Sequence, residues 1–139
     1  MRLSLGSRRA AIAGLSLLGL VDSLYMLAFT EGLSRSLACP FFGRGCEIVG
    51  RSPQARHLGV PNAAVGALGY AAMASLAVWS GRRRGGWQPR LLATVALAAT
   101  GASAWLTWEQ KTTVRAWCFW CLSSTAINAA LLPLAVSQL

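Results

Sequence analysis

Charge is what this sequence has least of. Only 12% of its 139 residues are Asp, Glu, Lys or Arg, and just four of them are acidic. Soluble domains carry about 25% charged residues. Disordered chains pair high charge with low apolar content. At 55% hydrophobic residues, this chain fits neither class and reads as a membrane protein. Internal repeats and low-complexity linkers are also missing, so residues 1–139 are expected to form one membrane domain. A cleaved leader is not expected, because the first apolar run is too long and no small-x-small site follows it. The net charge of +9 raises the question of nucleic acid. No basic stripe is interleaved with aromatics, however, and the arginines flank apolar runs as topology signals do. The expected surroundings are a lipid bilayer and no nucleic acid.

Four apolar runs are present: Ala10–Thr30, Pro61–Ser80, Leu91–Trp108 and Trp117–Val136. Each is about 18 to 21 residues, or roughly 27 to 32 Å as helix, enough to cross the hydrocarbon core. The fold class is therefore an all-α integral membrane protein, a four-transmembrane-helix bundle. Pro61 suits a first helical turn, and Pro133 is expected to kink the last helix near its end. Residues 31–60 make a long loop between the first two spans. Within it, Ser52 followed by Pro53 reads as a helix start and Gly59 as a stop, so a short surface helix is expected over Pro53–Leu58.

An even number of spans puts both termini on one side with the arginine-rich 81–90 loop. That side carries seven Arg or Lys (Arg2, Arg8, Arg9, Arg82, Arg83, Arg84, Arg90), the other six (Arg35, Arg44, Arg51, Arg56, Lys111, Arg115). The small excess and the tight Arg82–Arg84 cluster favour cytoplasmic termini in a cytoplasmic membrane, with the 31–60 loop on the extracytoplasmic side.

On this topology all four cysteines meet at one membrane face. Cys118 and Cys121 form a C-x-x-C at the start of the fourth helix, a redox-disulfide spacing. Residues three apart share a helix face. A thiolate at Cys118 is favoured by the helix N-terminus, and Cys121 lies nearly a turn deeper, toward a lipid-soluble partner. Cys39 and Cys46 bracket a segment with two glycines, flexible enough to carry a thiol between the helix pair and a soluble protein. A four-thiolate zinc site is one alternative, and an inert Cys39–Cys46 disulfide in a non-catalytic scaffold is another.

The pattern Cys39, Cys46, Val49, Ser52, Gly59-Val60-Pro61-Asn62, Gly66, Tyr70 and Cys118-Phe119-Trp120-Cys121 resembles the vitamin K epoxide reductase family. The match extends from Ser23-Leu24-Tyr25 to Ala126-Ile127-Asn128. The resemblance implies a helical bundle around a quinone (ubiquinone, menaquinone or phylloquinone) and a thioredoxin-like partner. It also implies that the loop pair takes electrons from that partner and that the C-x-x-C hands them to the quinone. By position, Cys39 meets the partner, Cys46 exchanges with Cys118, and Cys121 faces the quinone. Asn62 and Ser52 match polar positions near the site, and Asn62 is suited to bond a quinone carbonyl. Trp120 is a candidate for lining the same pocket.

Animal members carry a tyrosine where this chain has Thr125, another pocket position, so the sequence looks more like bacterial members that serve disulfide formation. No thioredoxin-like segment follows within the chain, so the partner is expected to be a separate protein. The alternative activity is reduction of vitamin K quinone or epoxide. A second family of four-helix disulfide oxidases places its C-x-x-C early and its loop pair late, the reverse of this order.

Of the remaining residues, Asp22 sits in a membrane span, where a structural polar contact is the favoured role and proton transfer the alternative. Arg115 reads either as a stabiliser of the Cys118 thiolate or as a snorkelling interface residue. His57, Glu47 and Glu109 read as solvated. Trp117 reads as an interfacial belt residue, and Gly66 and Gly69 as marks of close helix contact.

Overall fold

A computed structural model describes residues 4–79 and 86–139. Arg2, Ser80 and the Arg82–Arg84 cluster lie outside the described residues. Among the described residues, four helices are long and apolar enough to cross a membrane: α1 (Leu5–Thr30), α3 (Asn62–Trp79), α4 (Trp87–Glu109, continued by a π-helical turn over Gln110–Val114) and α5 (Phe119–Val136). The short α2 (Gly45–Arg51) lies in the first loop. Outward-facing Leu17, Leu18, Val21, Leu68 and Leu97 are exposed, as lipid-facing side chains must be in a bundle whose solvent is hydrocarbon.

Two spans begin earlier than their apolar runs. The Ser4 hydroxyl accepts the Ser7 N–H at 3.1 Å and caps α1. Arg8, one turn in, donates to the Ser137 carbonyl at the C-terminal end of α5, where the helix dipole welcomes a cation. The start of α4 takes in Trp87 and Gln88, because Pro89 costs no hydrogen bond in a first turn. α5 runs through Pro133 and ends three residues later.

The helices pack through small residues and a few polar ties. A Cβ on Gly19 of α1 would stand 2.3 Å from the Tyr70 ring of α3, so only glycine admits that ring. Tyr70 is buried, and its hydroxyl shares a 2.6 Å hydrogen bond with Ser124 of α5. Asn128 of α5 donates to the Ser103 hydroxyl of α4 at 2.6 Å. Ile12, Met73, Leu92 and Leu131 fill the space between. Gly66 lies close against Ser23, whereas Gly69 faces open space.

The loop differs from expectation. Its helix is α2, upstream of Ser52, and it contains Cys46. Pro53–Ala55 makes only a single 3-10 turn. The chain then forms a minimal hairpin, β1 (Arg56–His57) against β2 (Val60–Pro61), paired His57 to Val60 and Arg56 to Pro61. Leu58 and Gly59 both have positive φ, the requirement of a two-residue hairpin turn that matches strand twist. Gly59 thus serves a hairpin rather than a helix stop, and Pro61 sits in β2, leaving Asn62 to open α3.

Candidate active site

A second cluster of buried side chains lies at the loop end of the bundle. Met26 and Phe29 of α1 pack there with Leu37, Val49, Cys46 and Cys118. Cys39 and Cys46 form a disulfide, while Cys118 and Cys121 are thiols. The Cys46 sulfur accepts the Phe119 backbone N–H at 3.2 Å, which seats it on the first residue of α5 beside Cys118. Cys118 is the N-cap of α5, and its sulfur accepts the Cys121 N–H at 3.3 Å. Its own N–H goes to the Gln110 side chain at 2.9 Å. Its thiol lies just outside the fourth span and is held below the ordinary cysteine range, chiefly by the hydrogen bond with Cys121. A lowered value favours the thiolate form there.

The four sulfurs are therefore graded in access. Cys39 is half-buried, and Cys46 and Cys118 are fully buried. Cys121 reappears on the wall of an open-sided cavity of about 530 Å³ between the helices. That volume is typical of a small-molecule site. Its walls are mainly apolar, with a few polar side chains among them.

The segment before Cys39 is anchored, not free. Tyr25 of α1 accepts the Ala38 N–H at 3.0 Å, and the Trp120 indole donates to the Ala38 carbonyl at 2.6 Å. The two rings meet edge to face at 5.0 Å. Glu47, expected in solvent, accepts the Leu37 N–H and pairs with Arg44. Mobility in the redox loop is thus not expected of residue 38. The exposed stretch is Pro40–Arg44, where Phe41 is 91% exposed.

Of the expected quinone contacts, Asn62, Trp120 and Thr125 line the cavity. Ser52 does not: its hydroxyl turns back to the Val49 carbonyl at 2.6 Å, closing α2. Thr125 donates to the Cys121 carbonyl at 3.0 Å and meets Thr107 at 3.1 Å. Asp22 is buried on the cavity wall, with Oδ2 lacking a hydrogen-bond partner. Arg115 is exposed, and its positive φ ends the π-helical turn.

Sequence reasoning missed three residues. Gln110 holds the Cys118 N–H from a buried position. Glu109, expected in solvent, has a side chain only 15% exposed and lines the cavity. His57 bridges Asn62 at 2.7 Å and Glu109 at 3.2 Å. The available signal was the polar pair Glu109-Gln110 directly at the end of a span.

The family model described as the vitamin K epoxide reductase family matches residues 10–136, nearly the whole chain. The chain belongs to that family. A comparison with curated proteins gives no match. Membership supports an oxidoreductase, quinone-linked and thiol-based, in a multi-pass membrane protein. The Cys39–Cys46 disulfide fits the loop cysteine pair of such a thiol-based enzyme.

Proposed function

We propose that this vitamin K epoxide reductase family member is a protein-dithiol:quinone oxidoreductase that reoxidises a separate thioredoxin-like partner and so drives disulfide formation. The observation that carries the reading is the seating of Cys46 on the first residue of α5, with Cys121 on the cavity wall one turn further in. Cys118, the N-cap of α5, is in this reading the thiol that passes electrons from one to the other.

The partner's dithiol reduces the Cys39–Cys46 disulfide by attack on the accessible sulfur of Cys39, releasing Cys46 as thiolate. The partner's second thiol then closes the partner's own disulfide and frees Cys39; Cys46 attacks Cys118 of the oxidised Cys118–Cys121 pair, releasing Cys121, and Cys39 attacks Cys46, re-forming the loop disulfide and releasing Cys118. Cys118 and Cys121, now thiols, give two electrons to the quinone and re-form their disulfide. Two protons accompany the electrons, so dithiol plus quinone becomes disulfide plus quinol. Asn62, Trp120 and Thr125 are the proposed quinone neighbours. Asn62 donates one N–H to the Gln54 carbonyl at 2.7 Å, which leaves its second N–H for a quinone carbonyl. Ubiquinone, menaquinone and phylloquinone all carry that carbonyl. We place the termini in the cytoplasm and the cysteines on the outer side of the cytoplasmic membrane, where disulfides persist.

The test is trapping. With Cys121→Ser, Cys118 has no resolving thiol, so a Cys46–Cys118 bond accumulates on non-reducing peptide mapping. Accumulation of Cys39–Cys118 instead exchanges the two loop roles, and quinone reduction at full rate in Cys121→Ser refutes the relay. Turnover of phylloquinone epoxide with dithiothreitol, without activity toward a thioredoxin-like protein, supports vitamin K reduction in place of disulfide formation.

A further inference from the structure

His57 stands where the hairpin meets the cavity, and the orientation of its neighbours fixes its protonation. The Gln54 carbonyl can only accept, so the Asn62 NH₂ must face it. The Asn62 amide oxygen therefore faces His57 Nδ1, 2.7 Å away, and that nitrogen must carry a proton. His57 Nε2 faces the Glu109 carboxylate at 3.2 Å and carries one too. Two acceptors on opposite ring nitrogens stabilise imidazolium over either neutral tautomer.

We infer that His57, held as imidazolium by Glu109, is the positioning residue that aims the Asn62 N–H into the cavity and strengthens it as a donor to a quinone carbonyl. The inference rests on Asn62 being the quinone contact. An amide whose oxygen accepts a charged hydrogen bond is polarised, and its N–H donates more strongly. Negative charge grows on the quinone oxygen during reduction, so the effect is greatest when it is needed.

The ring's setting favours this charge. The bonds to Asn62 and then to Glu109 raise the His57 pKa, against a smaller opposing effect of desolvation. Arg56, its chain neighbour, is turned to Glu31. Asp22 of α1 and the Cys121 thiol of α5 face the same cavity. The cation therefore persists above the ordinary histidine range and is lost as pH rises through the raised value.

The only histidine of the chain gives a single ring resonance when labelled. In the full chain in lipid nanodiscs, that resonance should titrate above the model histidine value, and Glu109→Gln should lower the midpoint. In quinone reduction driven by dithiothreitol, with ubiquinone-1 as probe, the wild-type KM for quinone should rise about tenfold through the same midpoint. His57→Leu should show the high KM at every pH, and His57→Gln, which keeps a donor toward Asn62, should restore part of the low KM without the pH dependence. Glu109→Gln should move the rise to lower pH. A wild-type profile in His57→Leu, with Asn62→Ala impaired, overturns the inference and leaves the quinone site standing. Unimpaired Asn62→Ala overturns the quinone assignment itself. Should His57→Leu not fold, a ring midpoint at or below the model value in the wild-type chain still refutes it.

Discussion

Gly45→Ala isolates the step between the two cysteine pairs. Gly45 opens α2 and is buried against the backbone that leads into α5: a Cβ there would stand 2.0 Å from the Trp117 carbonyl oxygen, where ordinary contact begins at 3.4 Å. The difference, 3.4 less 2.0, is 1.4 Å, and backbone faces the new methyl rather than a yielding side chain. Its φ is not positive, so alanine adds no backbone strain, only the clash. Relief requires α2 to back away from Trp117, and Cys46, the next residue, moves with it. Overpacking of this kind costs about 1–3 kcal/mol in stability. The kinetic effect is larger, because exchange needs in-line approach of sulfur to sulfur, and a 1 Å misplacement costs about 100-fold. Quinone reduction driven by a reduced thioredoxin-like protein should fall by about two orders of magnitude. Single-turnover transfer from the pre-reduced C-x-x-C to quinone, which bypasses the loop pair, should stay within about twofold on the same scale of effects. Gly14→Ala, with open space at its Cβ, is the control. An undiminished partner-driven rate in Gly45→Ala would refute the argument, as would equal losses in both assays.

Asn62→Ala should slow quinone reduction by roughly one to three orders of magnitude with the fold intact, measured as single-turnover quinol formation. After reduction, an impermeant maleimide should label Cys39 or Cys46 in intact cells, and labelling only after lysis would invert the topology. Gly19→Ala should destabilise the bundle by about 1–3 kcal/mol, read as a lower Tm, because the Tyr70 ring has no room to yield.

The bundle and the four cysteines were legible because each leaves a signal in sequence order. Runs of 18 or more apolar residues have few alternatives to a membrane helix. The C-x-x-C at a helix start carries its geometry in its spacing, since residues three apart share a face. The loop helix was misplaced for a local reason. Ser52-Pro53 fits a helix start, yet it also fits the end of a helix, and the Ser52 hydroxyl in fact closes α2 on Val49. Leu58-Gly59 then turns a hairpin, a conformation for which leucine at positive φ gives no warning.

What remained unreadable is the polar rim, because its meaning depends on long-range contact. His57 and Glu109 are 52 positions apart and each alone is an ordinary surface residue. Together they change each other. Burial of Glu109 beside the cavity, with Oε2 unpaired, is tolerable because His57 meets its other oxygen. The charge on His57 is in turn favoured by two acceptors that only folding assembles. In the proposed relay the cysteines define what is oxidised and reduced. The His57–Asn62–Glu109 group, invisible in the one-dimensional pattern, is in our proposal what sets how strongly the cavity stabilises charge on a carbonyl that enters it.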